Sequence, residues 1–236
     1  MNTNTRSSLD CQNQTQYWHP STISPSRSRF KGCPQKIQVE SDQCLRAAVK
    51  VKAQQGNFPH AIALLTQLID RHPTSAMDYN NRGLIYFQSG QLANAITDYN
   101  TALKLNPTLD SAYNNRANYY AAMGSREEAI ADYESALDLN PGNIRAWINQ
   151  GITLRELGRY DEALDSFDFV LHFGQLTGHI YAERGRTHEL NGDWNCAIAD
   201  YQRALIHLPE SQAAIRLRSQ VETWMNQLLS PLSLEF

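Results

Sequence analysis

Between residues 76 and 109 the apolar and small side chains follow two helical rhythms. Tyr79, Gly83 and Tyr86 recur at three- and four-residue spacing, one face of a first helix. Gly90 interrupts that helix. Ala95, Tyr99 and Ala102 mark the face of a second, which stops before Pro107. So short a connection leaves only an antiparallel arrangement. Gly83, Ala95 and Ala102 are small enough to let the two backbones approach, and Tyr79, Tyr86 and Tyr99 fill the space around the contact. Gly83 is expected to face Tyr99, and Tyr86 to face Ala95.

The same pattern returns. YNNRG (79–83) is followed by YNNRA (113–117), AITDYNTAL (95–103) by AIADYESAL (129–137), and LNP (105–107) by LNP (139–141), each 34 residues on. Extended both ways, the frame gives five units without a gap: 42–75, 76–109, 110–143, 144–177 and 178–211. An aromatic holds the fourth place of four units (Tyr79, Tyr113, Trp147, Tyr181). Glycine holds the fifteenth place of all five (Gly56, Gly90, Gly124, Gly158, Gly192), and alanine the twentieth (Ala61, Ala95, Ala129, Ala163, Ala197). Proline closes four units, at Pro73, Pro107, Pro141 and Pro209.

These helix–turn–helix units, with their small-and-aromatic signature, resemble the tetratricopeptide repeat family over about residues 42 to 211. The resemblance implies an all-α, right-handed solenoid of five repeats. Two units depart from the signature. The first carries Val49, Lys52 and Leu68 at small or aromatic places, which suits an adapted end cap. The fourth has Val170 for alanine and Gln175 for proline, so HFGQLTGH (172–179) is expected to form a looser, glycine-ended turn. After Pro209, residues 212–229 read as a capping helix. Ala214, Leu217, Val221, Trp224 and Leu228 make its apolar face, polar residues take the others, and Pro231 stops it before a tail at 230–236. A solenoid needs such a helix to cover its last apolar face.

Arg82, Arg116 and Arg184 each precede an aspartate by 16 places: Asp98, Asp132 and Asp200. The other two units lack both members, having Ala48 with Leu64 and Gln150 with Ser166. The antiparallel pairing predicts an ion pair inside the unit; an arginine exposed in a groove is the alternative.

The first helices of a solenoid line its concave side. Asn80, Asn81 and Leu84 then project toward that surface or its wall. The second asparagine recurs as Asn81, Asn115 and Asn149, while Glu183 breaks the series in the fifth unit. The column is similar to the asparagine ladder in the superhelix of O-linked N-acetylglucosamine transferase. Two readings stand together: the amides bind an extended peptide, since each offers donor and acceptor, or they bond to neighbouring helices. The groove set is Asn80, Asn81, Leu84, Phe87, Asn114, Asn115, Asn118, Ile148, Asn149, Ile152, Arg155 and Arg186. Arg46 and Lys50, beside Asn81 and Asn115, partly match the pattern with which carboxylate-clamp members of the family grip a chain-terminal carboxylate. The lysine expected there is Ser111. Phe169, with Phe173 nearby, stands where other units have Thr101, Ser135 and Arg203; it marks an outer-face contact or packing within the fourth unit.

Composition adds little to this. Hydrophobic residues make up 42%, enough for a core, and a net charge of −3 gives no electrostatic reason to expect nucleic acid. No apolar run reaches the roughly 18 residues of a membrane span, and the N-terminus has no apolar signal core. Residues 1–41 are rich in Ser, Asn, Gln, Thr and Pro, with five basic residues against two acidic ones. They are expected to be a disordered basic tail; a Ser-rich targeting leader or an anionic contact at SPSRSRFKG (24–32) is the alternative. Cys11, Cys33, Cys44 and Cys196 show neither paired nor metal-type spacing, which suits a reducing, cytoplasmic setting. Cys196 is expected to be structural. The seven histidines show no metalloprotease spacing, and no Gly-rich phosphate loop occurs. The expectation is a non-catalytic adaptor that binds a protein or peptide partner, without cofactor or metal. An assembly scaffold or regulatory subunit using the convex face is the second reading, and an enzyme of unrecognised chemistry the third.

Overall fold

The computed structural model describes residues 41–212 and 214–230. The expected tail at 1–41 (all but Ser41) and the stop at Pro231 lie outside them. Eleven helices and no strand occur among the described residues: α1 Asp42–Gln54, α2 Phe58–Arg71, α3 Ala76–Gln88, α4 Leu92–Leu105, α5 Asp110–Ala122, α6 Arg126–Leu139, α7 Ile144–Glu156, α8 Tyr160–Leu171, α9 Thr177–Asn191, α10 Trp194–His207 and α11 Ile215–Leu229. Each helix packs on the next along the chain, which makes an all-α helical repeat solenoid.

The pairing follows from side-chain size. A methyl group on Gly83 would lie 2.8 Å from Cε1 of Tyr99, and one on Gly151 would lie 2.8 Å from Cζ of Phe167. Glycine lets a fully buried ring lie close against the first helix there; in the third unit Ala117 holds the same place in one cluster with the buried Tyr133, so that ring accommodates a methyl group. The helical break is local backbone chemistry: Gly90 has φ +77° and Gly124 φ +80°, left-handed conformations that cost a side-chain-bearing residue about 1–2 kcal/mol. Acidic residues fill the first turns of α6 (Glu127, Glu128) and α8 (Asp161, Glu162), where they complement the helix dipole.

Two expectations are refined by these elements. The turn after α8 carries Gly174 at φ +64°, and Leu176 also sits left-handed at φ 54°. Cys196 is exposed in the first turn of α10 and is no core thiol.

Curvature is visible in which helices touch beyond their sequence neighbours. α3 meets α5, α5 meets α7 and α7 meets α9, while no even-numbered helix makes a comparable contact with the next even one. The odd helices are therefore on the inside of the bend. At the far end α11 lays Val221, fully buried, and the half-buried Trp224 and Leu228 onto a cluster with Ala197, Tyr201 and Ala204 of α10.

Candidate peptide-binding groove

The arginines define what is scaffold. Arg82 donates from Nε and Nη2 to the two carboxylate oxygens of Asp98 at 2.7 and 2.8 Å; Arg116 does the same to Asp132 at 2.7 and 2.8 Å, and Arg184 to Asp200 at 2.6 and 2.7 Å. Each has a further contact that the spacing within one unit could not show. Nη1 reaches back to the previous even helix: Arg82 to Thr66 (3.2 Å), Arg116 to Asn100 (2.8 Å) and Arg184 to Asp168. The guanidinium carbons lie over tyrosine rings, Arg82 at 5.5 Å from Tyr79 and 5.7 Å from Tyr86, Arg116 at 5.7 Å from Tyr113 and 5.9 Å from Tyr120. These arginines face the even helices and tie one unit to the one before. The donor bonds to aspartate hold the Arg82 and Arg116 pKa above the usual arginine value.

The asparagines are on the inner side, and two are committed to neighbouring helices. Asn115 Nδ2 donates to Asn80 Oδ1 at 3.0 Å, joining α5 to α3, and Asn149 Nδ2 donates to Asn118 Oδ1 at 2.9 Å, joining α7 to α5. Asn80 is buried (3% exposed), so its side chain belongs to the α3–α5 contact and not to the groove surface. Asn118 Oδ1 also accepts from the Tyr133 hydroxyl at 2.6 Å. Because Asn149 pairs with Asn118, the Asn114 side-chain carbonyl oxygen is left buried without a hydrogen bond. The half-buried Asn81 makes no side-chain hydrogen bond with a described residue, and the Asn118 amide nitrogen likewise has no partner among them.

Between α5 and α7 the inner side opens into a cleft of about 260 Å³. Asn118, Ala121, Tyr133, Asn149, Ile152 and Glu156 are among its walls. Burial pushes the Tyr133 phenol well above its usual pKa, so it serves there as a neutral donor to Asn118. Glu156 at the rim pairs with Arg126 at 2.9 Å. Leu84, Phe87, Ile148 and Ile152 are all half-buried. Phe87 meets Tyr119 edge-to-face at 6.3 Å, and Tyr119 continues to Tyr120 at 5.6 Å. Tyr119, Tyr133 and Glu156 are inner-side residues that sequence reasoning misses. The repeat assigns Tyr133 to packing, as the counterpart of Tyr99, and Tyr119 falls in the frame at the place of the buried Ile85.

Three of the four basic candidates are engaged within the chain. Arg46 forks onto Asp78 at 3.2 and 2.8 Å, Arg155 holds Glu183 at 2.7 Å, and Arg186 holds Glu189 at 2.5 Å under the Trp224 ring. Lys50 is exposed on α1. No cluster of three or more potential metal ligands occurs among the described residues. No helix among them is long and apolar enough to cross a membrane.

Comparison with known proteins bears on this geometry. Residues 83–124 match a family model described as TPR repeat, and residues 114–172 match one described as Tetratricopeptide repeat. No curated protein matches the chain. Among solved structures, TTC0263, a thermophilic TPR protein of Thermus thermophilus, superposes with a TM-score of 0.66 at 18% identity, over 78% of this chain and 100% of that one. A crystal structure of MamA protein superposes with a TM-score of 0.60 at 20% identity, over 70% of this chain and 90% of that one. The repeat matches fall on the α3–α8 region, whose glycine–aromatic pairing and inward-facing odd helices are described above. On that combination of repeat and architecture, residues 83–172 of this chain are tetratricopeptide repeats.

Proposed function

We infer that the protein is an interaction adaptor or scaffold that captures an extended peptide segment of a partner along its inner, odd-helix side. The observation that carries this reading is the α5–α7 cleft. It joins an apolar wall at Ile152 to the unpaired amide nitrogen of Asn118, with Asn81 and the Phe87–Tyr119 pair further along the same side. An amide beside an apolar wall suits a peptide backbone, which needs polar groups matched while its side chains are buried. The Arg46–Asp78 fork lowers the appeal of a terminal-carboxylate grip, because that guanidinium already has its carboxylate.

A photo-crosslinking residue placed at Asn118, and in a second protein at the exposed Thr97 on α4, tests this. Labelling of a discrete partner peptide from position 118 and not from 97 is the expected result. Labelling from 97 alone would move binding to the even-helix side.

One observation favours that second side as a further contact. Phe169 and Phe173 are 40% and 45% exposed on and beyond α8, and their rings form a row with Trp147, at 4.6 and 5.4 Å between successive centroids.

A further inference from the structure

The fourth unit lacks the arginine that three others share, and the place where it would stand is open. Gln150 occupies the position of Arg82, Arg116 and Arg184 in the 34-residue frame. Around it, between α6 and α8, is a cleft of about 310 Å³ walled by Glu134, Trp147, Gln150, Leu154, Glu162, Asp165 and Ser166. Each neighbour of the other guanidiniums has a counterpart here. Trp147 replaces Tyr113, Leu154 replaces Tyr120, Ser166 replaces Asp132, and Glu134 replaces Asn100. The carboxylate has changed sides, from the unit's own second helix to the preceding one. Asp168 already shows that an acid on that preceding helix binds a guanidinium, since Arg184 donates to it.

Several polar groups of the cleft are unmatched, while the Ser166 hydroxyl donates to the Glu162 carbonyl at 2.9 Å and keeps its lone pairs as acceptors. Gln150 is 7% exposed, and its side-chain amide makes no hydrogen bond with any described residue. Glu134 and Asp165 have neither hydrogen bond nor ion pair among the described residues. Glu162 is engaged with Arg159 at 2.6 Å. Trp147 offers the aromatic surface that binds a cation best, and its indole N–H is turned away to the Pro141 carbonyl at 2.9 Å.

We propose that this niche takes the guanidinium of an arginine side chain presented by a partner protein. The arrangement supplies equivalents of what the internal arginines receive: an aromatic face, a carboxylate (here on the preceding helix, as Asp168 is for Arg184), and polar acceptors at Gln150 and Ser166. Arginine is favoured over lysine because its planar fork reaches acceptors on two helices at once, while an ammonium is a compact point charge. The Trp147–Phe169–Phe173 row begins at the niche wall, so an apolar residue beside the partner's arginine has a surface to lie on. The niche faces the even helices, and this goes beyond the inner-side reading and does not depend on it.

The test is a titration of the intact chain, followed by NMR at the Trp147 indole and Gln150 amide protons. The probes are a short arginine–phenylalanine peptide and its lysine and citrulline counterparts. Saturable shifts with the arginine peptide are expected, roughly tenfold weaker binding for lysine, and none for neutral citrulline. The double variant Gln150→Arg with Ser166→Asp rebuilds the arrangement of the other units. It should raise the thermal midpoint and abolish the titration. Should that variant not fold, Glu134→Gln with Asp165→Asn, both on exposed positions, should weaken the arginine peptide several-fold by itself. No shifts, equal binding of all three peptides, or binding undiminished in the filled or neutralised variant would each overturn the proposal. The readout is confined to the α6–α8 cleft, so a failed crosslink at Asn118 leaves it standing, and the reverse also holds.

Discussion

Arg116 and Asp132 meet fork to fork, Nε and Nη2 against the two carboxylate oxygens at 2.7 and 2.8 Å. Their side chains are only 21% and 9% exposed. Removing one partner from such a site leaves a charge with little water to compensate it. Arg116→Ala should lower stability by about 2–3 kcal/mol in urea unfolding, and adding Asp132→Ala should restore part of that loss. If the double variant is no better than the single, the pair is not the source of the effect.

Gly83 and Gly90 should respond differently to the same methyl group. Gly83→Ala pushes against the Tyr99 ring, 2.8 Å away, and is expected to cost about 1–3 kcal/mol by overpacking. Gly90→Ala meets no atom within 4 Å but must hold φ near +77°, a cost of about 1–2 kcal/mol. Trimming the ring with Tyr99→Leu should relieve the first variant and leave the second untouched. Thermal melts of the single variants and their combinations with Tyr99→Leu decide this.

Val221 is fully buried against the α10 cluster. Val221→Asp should detach α11 and expose that cluster, seen as a lower melting temperature and dye binding before the main transition. A protein that melts like wild type would show the fifth unit stable without its cover.

Asp78 carries a pH signature. Burial alone would raise its pKa, but Arg46 and the Ser75 hydroxyl overcome this and hold it below the ordinary aspartate value. A depressed pKa contributes stability above the unfolded value and loses it as pH falls through the folded one. Asp78→Asn should therefore be less stable than wild type at pH 7, with the gap closing below about pH 4. A gap that is constant with pH would mean the carboxylate charge is not involved.

On sequence alone, Asn115→Ala is open to a pure binding effect. The bond to Asn80 changes that: the substitution strands a buried carbonyl, and a loss of about 1 kcal/mol is expected. Equilibrium unfolding of Asn115→Ala, with Asn81→Ala as the variant that breaks no such bond, separates the two contributions.

Much of the scaffold is legible because its interactions repeat at fixed distances along the chain. Gly83 opposite Tyr99 and Arg116 opposite Asp132 lie 16 residues apart, and the antiparallel pairing follows from that offset. The backward contact of each arginine is not legible, because its acceptor changes from Thr66 to Asn100 to Asp168 and so leaves no motif. The inner side is readable only in outline. Which amide pairs with which depends on rotamers: Asn149 turns to Asn118, leaving Asn114 behind, although the frame predicts Asn114 by analogy with Asn80. Arg46 reads from sequence as a ligand contact, since nothing local to it announces Asp78, 32 residues away.

The missing arginine in the fourth unit has a consequence for how the stack responds to its surroundings. Elsewhere a guanidinium fastens successive even helices, and charge holds them together. Between α6 and α8 that guanidinium is missing, and the apolar cluster running from α5 to α9, which includes Phe167 and Val170, carries more of the joint beside the outlying Arg159–Glu127 pair. Ionic attraction fades with added salt, and apolar association fades on cooling. Cooling should therefore weaken the α6–α8 joint more than the joints fastened by a buried guanidinium.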